Sequence, residues 1–145
     1  MTITITTVAS HDGGFSDTVE ELIDATAAKL GYPFDPVRFE LKAVDEAGGL
    51  AGGLVAHAVQ GWLFLKLLGV AEAARGQGIG RALLAKAEDH ARSSGLVGVY
   101  LDTFEFQAPR FYEELGYTEC GRLPAIGGAP QRIWFAKAFG VTKGA

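Results

Sequence analysis

The chain has a single cysteine, Cys120, in 145 residues. A lone thiol closes no internal disulfide and builds no cysteine-rich zinc site. That usage fits a reducing compartment. The three histidines, His11, His57 and His90, lack metal-ligand spacing, so no metal is expected. No apolar run reaches the ~20 residues of a membrane helix. The opening "MTITITTVAS" has no basic region followed by an apolar stretch, so no signal peptide is read. A cytoplasmic location with no membrane partner is the expectation. Positive charge is scarce too: 13 Lys and Arg against 17 Asp and Glu leave a net charge of -4. An acidic domain is a poor non-specific binder of nucleic acid, and none is expected as a partner. It suits a cationic substrate better. Repeats, low-complexity segments and linkers are absent.

Apolar residues make up 48% of the chain and charged residues 21%, the balance of a globular domain. The length suits one domain, 1–145, able to bury roughly 70% of its unfolded surface. "TITITTV" (2–8) alternates β-branched residues as a strand does. Asp17 and Glu20 have the spacing of a capping box. Val19, Leu22, Ile23, Ala27 and Leu30 follow at helical intervals up to Gly31 and Pro33. Strands are read over 38–44, 50–59 and 62–70, the last apolar on both faces as a central strand is. A second helix is read over 78–94, a buried strand over 97–104 and a short helix over 108–116, with Pro109 in its first turn and Gly116 at its stop. "YTECGRL" and "QRIWFAKAF" read as the last strands. The order β-α-β-β-β-α-β-α-β-β describes one α/β domain with a mixed sheet and helices on its faces.

The most informative stretch is "ARGQGIGRALL" (74–84). Glycine is costly in helices, yet Gly76, Gly78 and Gly80 stand at a helix entrance. A helix N-terminus has unpaired N–H groups and a partial positive charge. Glycines let a phosphate approach those groups, and Arg75 and Arg81 add charge at the rims. A phosphorylated cofactor is implied. A nucleotide P-loop needs G-x-x-x-x-G-K-[ST], and no lysine stands in that place. A dinucleotide fold needs G-x-G-x-x-G directly after the strand. Here the pattern is G-x-G-x-G, and "AEAAR" separates it from Val70. The third candidate is coenzyme A, whose pyrophosphate needs the same cradle.

"GVAEAARGQGIGRALL" resembles the pyrophosphate-binding motif of the GNAT superfamily of acetyl-CoA-dependent N-acetyltransferases, R/Q-x-x-G-x-G/A, at Arg75, Gly78 and Gly80. "APRFYEELGY" resembles the motif that follows in that superfamily, at Phe111 to Tyr117. The two lie in the right order with one strand between them, and the element order extends the resemblance over nearly all of the chain. It implies a GNAT-like domain whose mixed central sheet is splayed in the middle by a bulge, with helices on both faces. It implies acetyl-CoA as cosubstrate, held by Leu68, Gly69, Val70, Arg75, Gly76, Gln77, Gly78, Ile79, Gly80 and Arg81. It implies Tyr112 as the catalytic general acid. The activity implied is transfer of acetyl to a primary amine of a small molecule or peptide, by direct attack. The alternative is a non-catalytic acyl-CoA-binding sensor on the same fold. Many members are homodimers, so a homodimer is an expectation by analogy.

The chain departs from the family pattern in three places. Glu72 stands where proline is frequent, and Glu105 where asparagine offers amide hydrogen bonds to the cofactor. Tyr100 occupies the place of a common glutamate base. Asp102, Glu105, Glu72 and His57 are the remaining candidates for the base, beside a water-mediated route. Each also has an ordinary reading as a solvated carboxylate or a packed strand histidine. Tyr112 likewise shares a helix face with Ala108, Phe111 and Leu115, as a core residue does. Cys120 reads as strand packing and His90 as structural. Phe15, Tyr32, Phe34, Phe104 and Phe106, with Asp17, Glu20 and Glu21, fall in the regions that build the family's acceptor pocket.

Overall fold

The computed structural model describes residues 1–8, 10, 11 and 13–140. The chain divides into two compact units, Met1–Asp35 and Pro36–Ala145. In the first, residues 1–8 carry no regular secondary structure, against the strand read there. Alternation of β-branched residues is only half of what a strand needs; the other half is a partner edge. Helix α1 spans Gly13–Lys29. It begins four residues before Asp17, so Asp17 and Glu20 lie within it rather than capping it. Pairs at that spacing recur on any amphipathic helix.

The second unit holds β1 (Val37–Val44), β2 (Leu50–Val59), β3 (Trp62–Val70), α2 (Ile79–Ser93), β4 (Gly98–Phe104), α3 (Pro109–Glu114), β5 (Thr118–Arg122) and β6 (Arg132–Ala138). A single 3-10 turn, Glu72–Ala74, links β3 to α2. The six strands form one sheet in the order β1-β2-β3-β4-β6-β5. Only β3 and β4 are parallel, because α2 makes the crossover between them; the other pairs are antiparallel.

Alternate residues of the central strands, Leu63, Leu65, Val99, Leu101, Ile133 and Phe135, are buried on one face. Leu83, Leu84, Ala87 and Ala91 of α2 pack into the same cluster, as does Tyr112 of α3. Trp62, Phe64, Tyr100, Asp102 and Trp134 occupy the intervening positions and are only half-buried. α2 is also tied to the end of the sheet by polar contacts. The nearly buried Glu88 accepts hydrogen bonds from the Tyr117 hydroxyl and from Lys137 Nζ, both at 2.9 Å. Burial first, and the Glu88 carboxylate second, push the Tyr117 phenol up, which keeps it a donor.

Candidate active site

β3 and β4 pair only from Trp62 opposite Gly98 to Leu65 opposite Leu101. They are close at that end: a side chain at Gly98 would collide with the Lys137 carbonyl and the Trp62 ring. They part at a bulge. Val55 of β2 lies opposite Leu67 and Ala56 opposite Leu65, so Lys66 is the extra residue on β3. Beyond it, Leu67–Val70 pair with β2 alone and Asp102–Phe104 with β6 alone. The facing edges of β3 and β4 thus diverge into a V.

The V opens onto the glycine loop. Gly76 and Gly78 have φ of 81° and 79°, which only glycine adopts readily, and a side chain at either would project into open space. Gly78 begins α2 without any side-chain cap. The first hydrogen bond of α2 runs from the Ala82 N–H to the Gly78 carbonyl, at 3.0 Å. The N–H groups of Ile79, Gly80 and Arg81 therefore have no partner in the helix. Arg75 folds back so that its Nε donates to the Val70 carbonyl, at 3.3 Å. Gly80 has a different role: a Cβ there would sit 3.5 Å from Phe111 Cζ and 3.6 Å from Val70 Cγ2, in packing contact with α3 and β3.

Two adjoining cavities follow. The first, of about 610 Å³, is lined by Leu68, Gly69 and Val70 of β3, by Arg75, Gly76 and Gly78 of the loop and by Ile79, Gly80 and Arg81 of α2; Ala108, Phe111 and Tyr112 close it. Of the residues read as a cofactor cradle, Gln77 stands apart and lines a separate hollow beside Asp45. The second cavity, of about 280 Å³, lies within the V between Leu65–Leu68 and Asp102–Phe104, with Gln107 at its side. Leu68, Ala108 and Tyr112 line both cavities.

Tyr112 is 7% exposed, with its ring against Phe111, Tyr117 and Phe135. No buried side-chain oxygen among the described residues lacks a partner, and the Tyr112 hydroxyl has no hydrogen bond, so that oxygen keeps some access to solvent. Burial pushes its phenol up to about 12, so it is a proton donor at neutral pH.

The other candidates are placed as follows. Asp102 lines the second cavity but accepts a hydrogen bond from Arg132 Nε at 2.9 Å. Glu105 accepts from the Gln131 backbone N–H at 3.2 Å and lines neither cavity. Glu72 lies on the 3-10 turn, outside both. His57 packs edge-on against Phe64, and Tyr100 lies between Trp62 and Phe64. His90 stacks on Phe39 and Cys120 is exposed on β5. Phe104 stacks on Phe106 and borders the second cavity. Phe15, Tyr32 and Phe34 belong to the first unit. Sequence reasoning passed over Lys66, Gln107 and Arg132. The signals for Lys66 and Arg132 are tertiary, a bulge and a pairing across 30 residues.

A parallel pair forced apart beside a glycine-rich helix start is the arrangement that the resemblance to acetyl-CoA-dependent transferases implies. The model of the Acetyltransferase (GNAT) family matches residues 15–117, and the chain belongs to that family and is an acetyltransferase. It is 43% identical over 95 residues to an acetyltransferase of Agrobacterium fabrum, across 66% of this chain and 69% of the relative. It is 46% identical over 83 residues to the blasticidin-S acetyltransferase of Streptomyces morookaense, across 57% of this chain and 61% of that one, less than two thirds of its length. The crystal structure of an Agrobacterium tumefaciens protein assigned as an acetyltransferase matches with a TM-score of 0.81 at 35% identity, over 96% of this chain and 100% of that chain. No helix among the described residues is long and apolar enough to cross a membrane.

Proposed function

We propose that the protein transfers the acetyl group of acetyl-CoA to a primary amine of a small molecule by direct attack. The observation that carries this reading is that the two cavities share Tyr112, with Leu68 and Ala108, in their walls. The pyrophosphate lies against the free N–H groups at the start of α2, between Arg75 and Arg81. The pantetheine arm runs along the open edge of β3 at Leu68–Val70, as an added strand does. The thioester then reaches the junction at Tyr112. A neutral amine enters from the second cavity and attacks the thioester carbonyl carbon. A C–N bond forms, the C–S bond breaks, the Tyr112 hydroxyl protonates the departing sulfur, the surplus proton on nitrogen passes to water, and the Tyr112 phenolate takes a proton back from water. A relative named for blasticidin-S supports a small-molecule acceptor.

A second reading is an acyl-CoA sensor without turnover. It draws on one observation: both carboxylates nearest the V, Asp102 and Glu105, already have partners and leave no obvious base. Release of free CoA thiol over a library of amines decides between the two. Acetyl-CoA should raise the melting temperature in either case, because it binds the folded state alone. Thiol release that depends on an amine supports transfer. Stabilisation by acetyl-CoA with no release from any amine overturns it.

A further inference from the structure

The polar groups around the second cavity are unequal in what they leave free. Asp102 is engaged by Arg132 Nε at 2.9 Å. The buried Thr103 hydroxyl donates to Gln107 Oε1 at 3.2 Å, and the Phe104 N–H donates to the same oxygen at 2.9 Å. A backbone N–H requires an acceptor, so these two bonds fix which way the Gln107 amide faces. Its NH₂ group is left with no protein acceptor among the described residues. Lys66, the extra residue of the β3 bulge, lines the same cavity and has no carboxylate partner among the described residues. A bulge is a common device for re-aiming a side chain. Asp102 keeps its Oδ2 without a protein partner among the described residues; the other uncommitted side-chain groups are donors, the Lys66 ammonium, the Gln107 amide and the Tyr112 hydroxyl.

The geometry points to an acceptor amine that carries a carboxylate, held by Lys66 and the Gln107 NH₂ group in the second cavity. This rests on the acetyl-transfer reading above and names the substrate class of the same site. A carboxylate answers both donors with charge-assisted hydrogen bonds, which a plain alkylamine cannot do.

The test uses matched acceptors: ω-amino acids from glycine to 5-aminovalerate, each beside its carboxamide and the alkylamine of equal length. At one chain length the acid should exceed both partners in kcat/KM by about tenfold, the scale of a hydrogen bond to a charged group in a solvent-open site. Lys66→Gln should collapse that ratio, and Lys66→Glu should turn the preference towards the carboxamide and the alkylamine. Gln107→Ala should narrow the ratio without reversing it. Melting curves confirm that each variant folds. Acid, amide and alkylamine used equally well at every length, or a ratio that Lys66→Gln leaves intact, overturns the proposal. Equilibrium dialysis of the N-acetyl acids and N-acetyl amides with CoA present gives a readout without turnover. Lys66-dependent retention of the acid upholds the proposal even where no thiol is released, an outcome that instead defeats the transfer reading. Equal retention of acid and amide defeats the proposal alone.

Discussion

The two cavities that meet at Tyr112 are built from different material. The first is made of backbone: uncapped N–H groups at the start of α2, two glycines with positive φ and the open edge of β3. The second depends on side chains, two of which are placed by residues remote in sequence. Arg132 lies 30 residues from Asp102, and Lys66 stands at a bulge that exists only through pairing with β2. Backbone donors suit a ligand common to a whole class of enzymes, since any sequence with the right turn supplies them. Side chains can change one at a time and so suit an acceptor that differs between members. On the function proposed above, the difference between the cavities is a division of labour between cosubstrate and acceptor. The largest effects should come from the junction and from the backbone-built end.

Tyr112→Phe touches the junction and should have the largest effect. It keeps the ring against Phe111, Tyr117 and Phe135 and removes the hydroxyl alone. Single-turnover rates should fall by about 10²- to 10⁴-fold, nearer the lower end because a thiolate is a fair leaving group. Acetyl-CoA affinity should hardly move. Burial raises the phenol to about 12, so deprotonation of Tyr112 costs activity only as the pH approaches that value, and any loss near neutrality belongs to the amine. A rate equal to the parent would return Tyr112 to the core and leave the junction without an acid.

Gly78→Val comes next. It forces a β-branched residue into φ of 79° and places its bulk over the helix start. Acetyl-CoA affinity, read by calorimetry, should fall about 100-fold, the loss of one or two hydrogen bonds to a charged pyrophosphate. Gly80→Ala is the internal contrast. Its new methyl meets Phe111 and Val70 at ordinary contact distance, so affinity should stay within about threefold. If the two substitutions weaken binding alike, the first cavity does not hold the phosphates by its backbone.

That contrast also explains what could be read from the sequence. The glycine loop was legible because its requirements are local: a strand, a turn with positive φ and a helix start lie within twenty residues. β3, with apolar side chains on both faces, was legible as a central strand for the same reason. The segment 2–8 was not, because β-branched alternation says nothing about whether a partner edge exists. The start of α1 was misplaced because capping-box spacing also occurs inside helices. For the base the sequence offered four candidates and could not show that Asp102 faces Arg132 or that Glu105 faces Gln131. Those facts depend on which strands become neighbours, and β6 reaches β4 only after α3 and β5 have intervened.

Asp102→Asn sharpens the comparison on the acceptor side. A general base is worth about 10²- to 10⁴-fold. Asp102 is already paired with Arg132, and an asparagine oxygen can still accept from Arg132 Nε. The expected loss in kcat/KM is therefore under about tenfold, with acetyl-CoA affinity unchanged. A loss of about 100-fold or more, seen in single-turnover rates, would make Asp102 the base and Arg132 its positioning partner.

Glu105→Asn should have the smallest effect, and it tests whether side chains matter at the cosubstrate end at all. The GNAT pattern has asparagine at this place, where its amide donates to the cofactor, so the substitution restores the family residue. The surroundings argue that little is restored. The Glu105 backbone N–H donates to the Gln131 carbonyl at 2.9 Å, and its carboxylate accepts from the Gln131 N–H at 3.2 Å. This two-way clasp fastens the loop after β4 to the segment leading into β6, and it turns the side chain away from both cavities. Asparagine is one methylene shorter and reaches the Gln131 N–H poorly, so the melting temperature should drop by about 2 °C, the mark of one exposed hydrogen bond. Acetyl-CoA affinity should stay within about threefold, because on the proposed reading the phosphates rest on the α2 backbone and position 105 faces neither cavity. Calorimetry of the parent and the variant with acetyl-CoA and with CoA reads both quantities in one preparation. A gain of about tenfold or more would mean that a side chain at position 105 can face the pantetheine arm. The cosubstrate end would then depend on side-chain identity as the acceptor end does, and the contrast between the two cavities would narrow to the phosphate cradle.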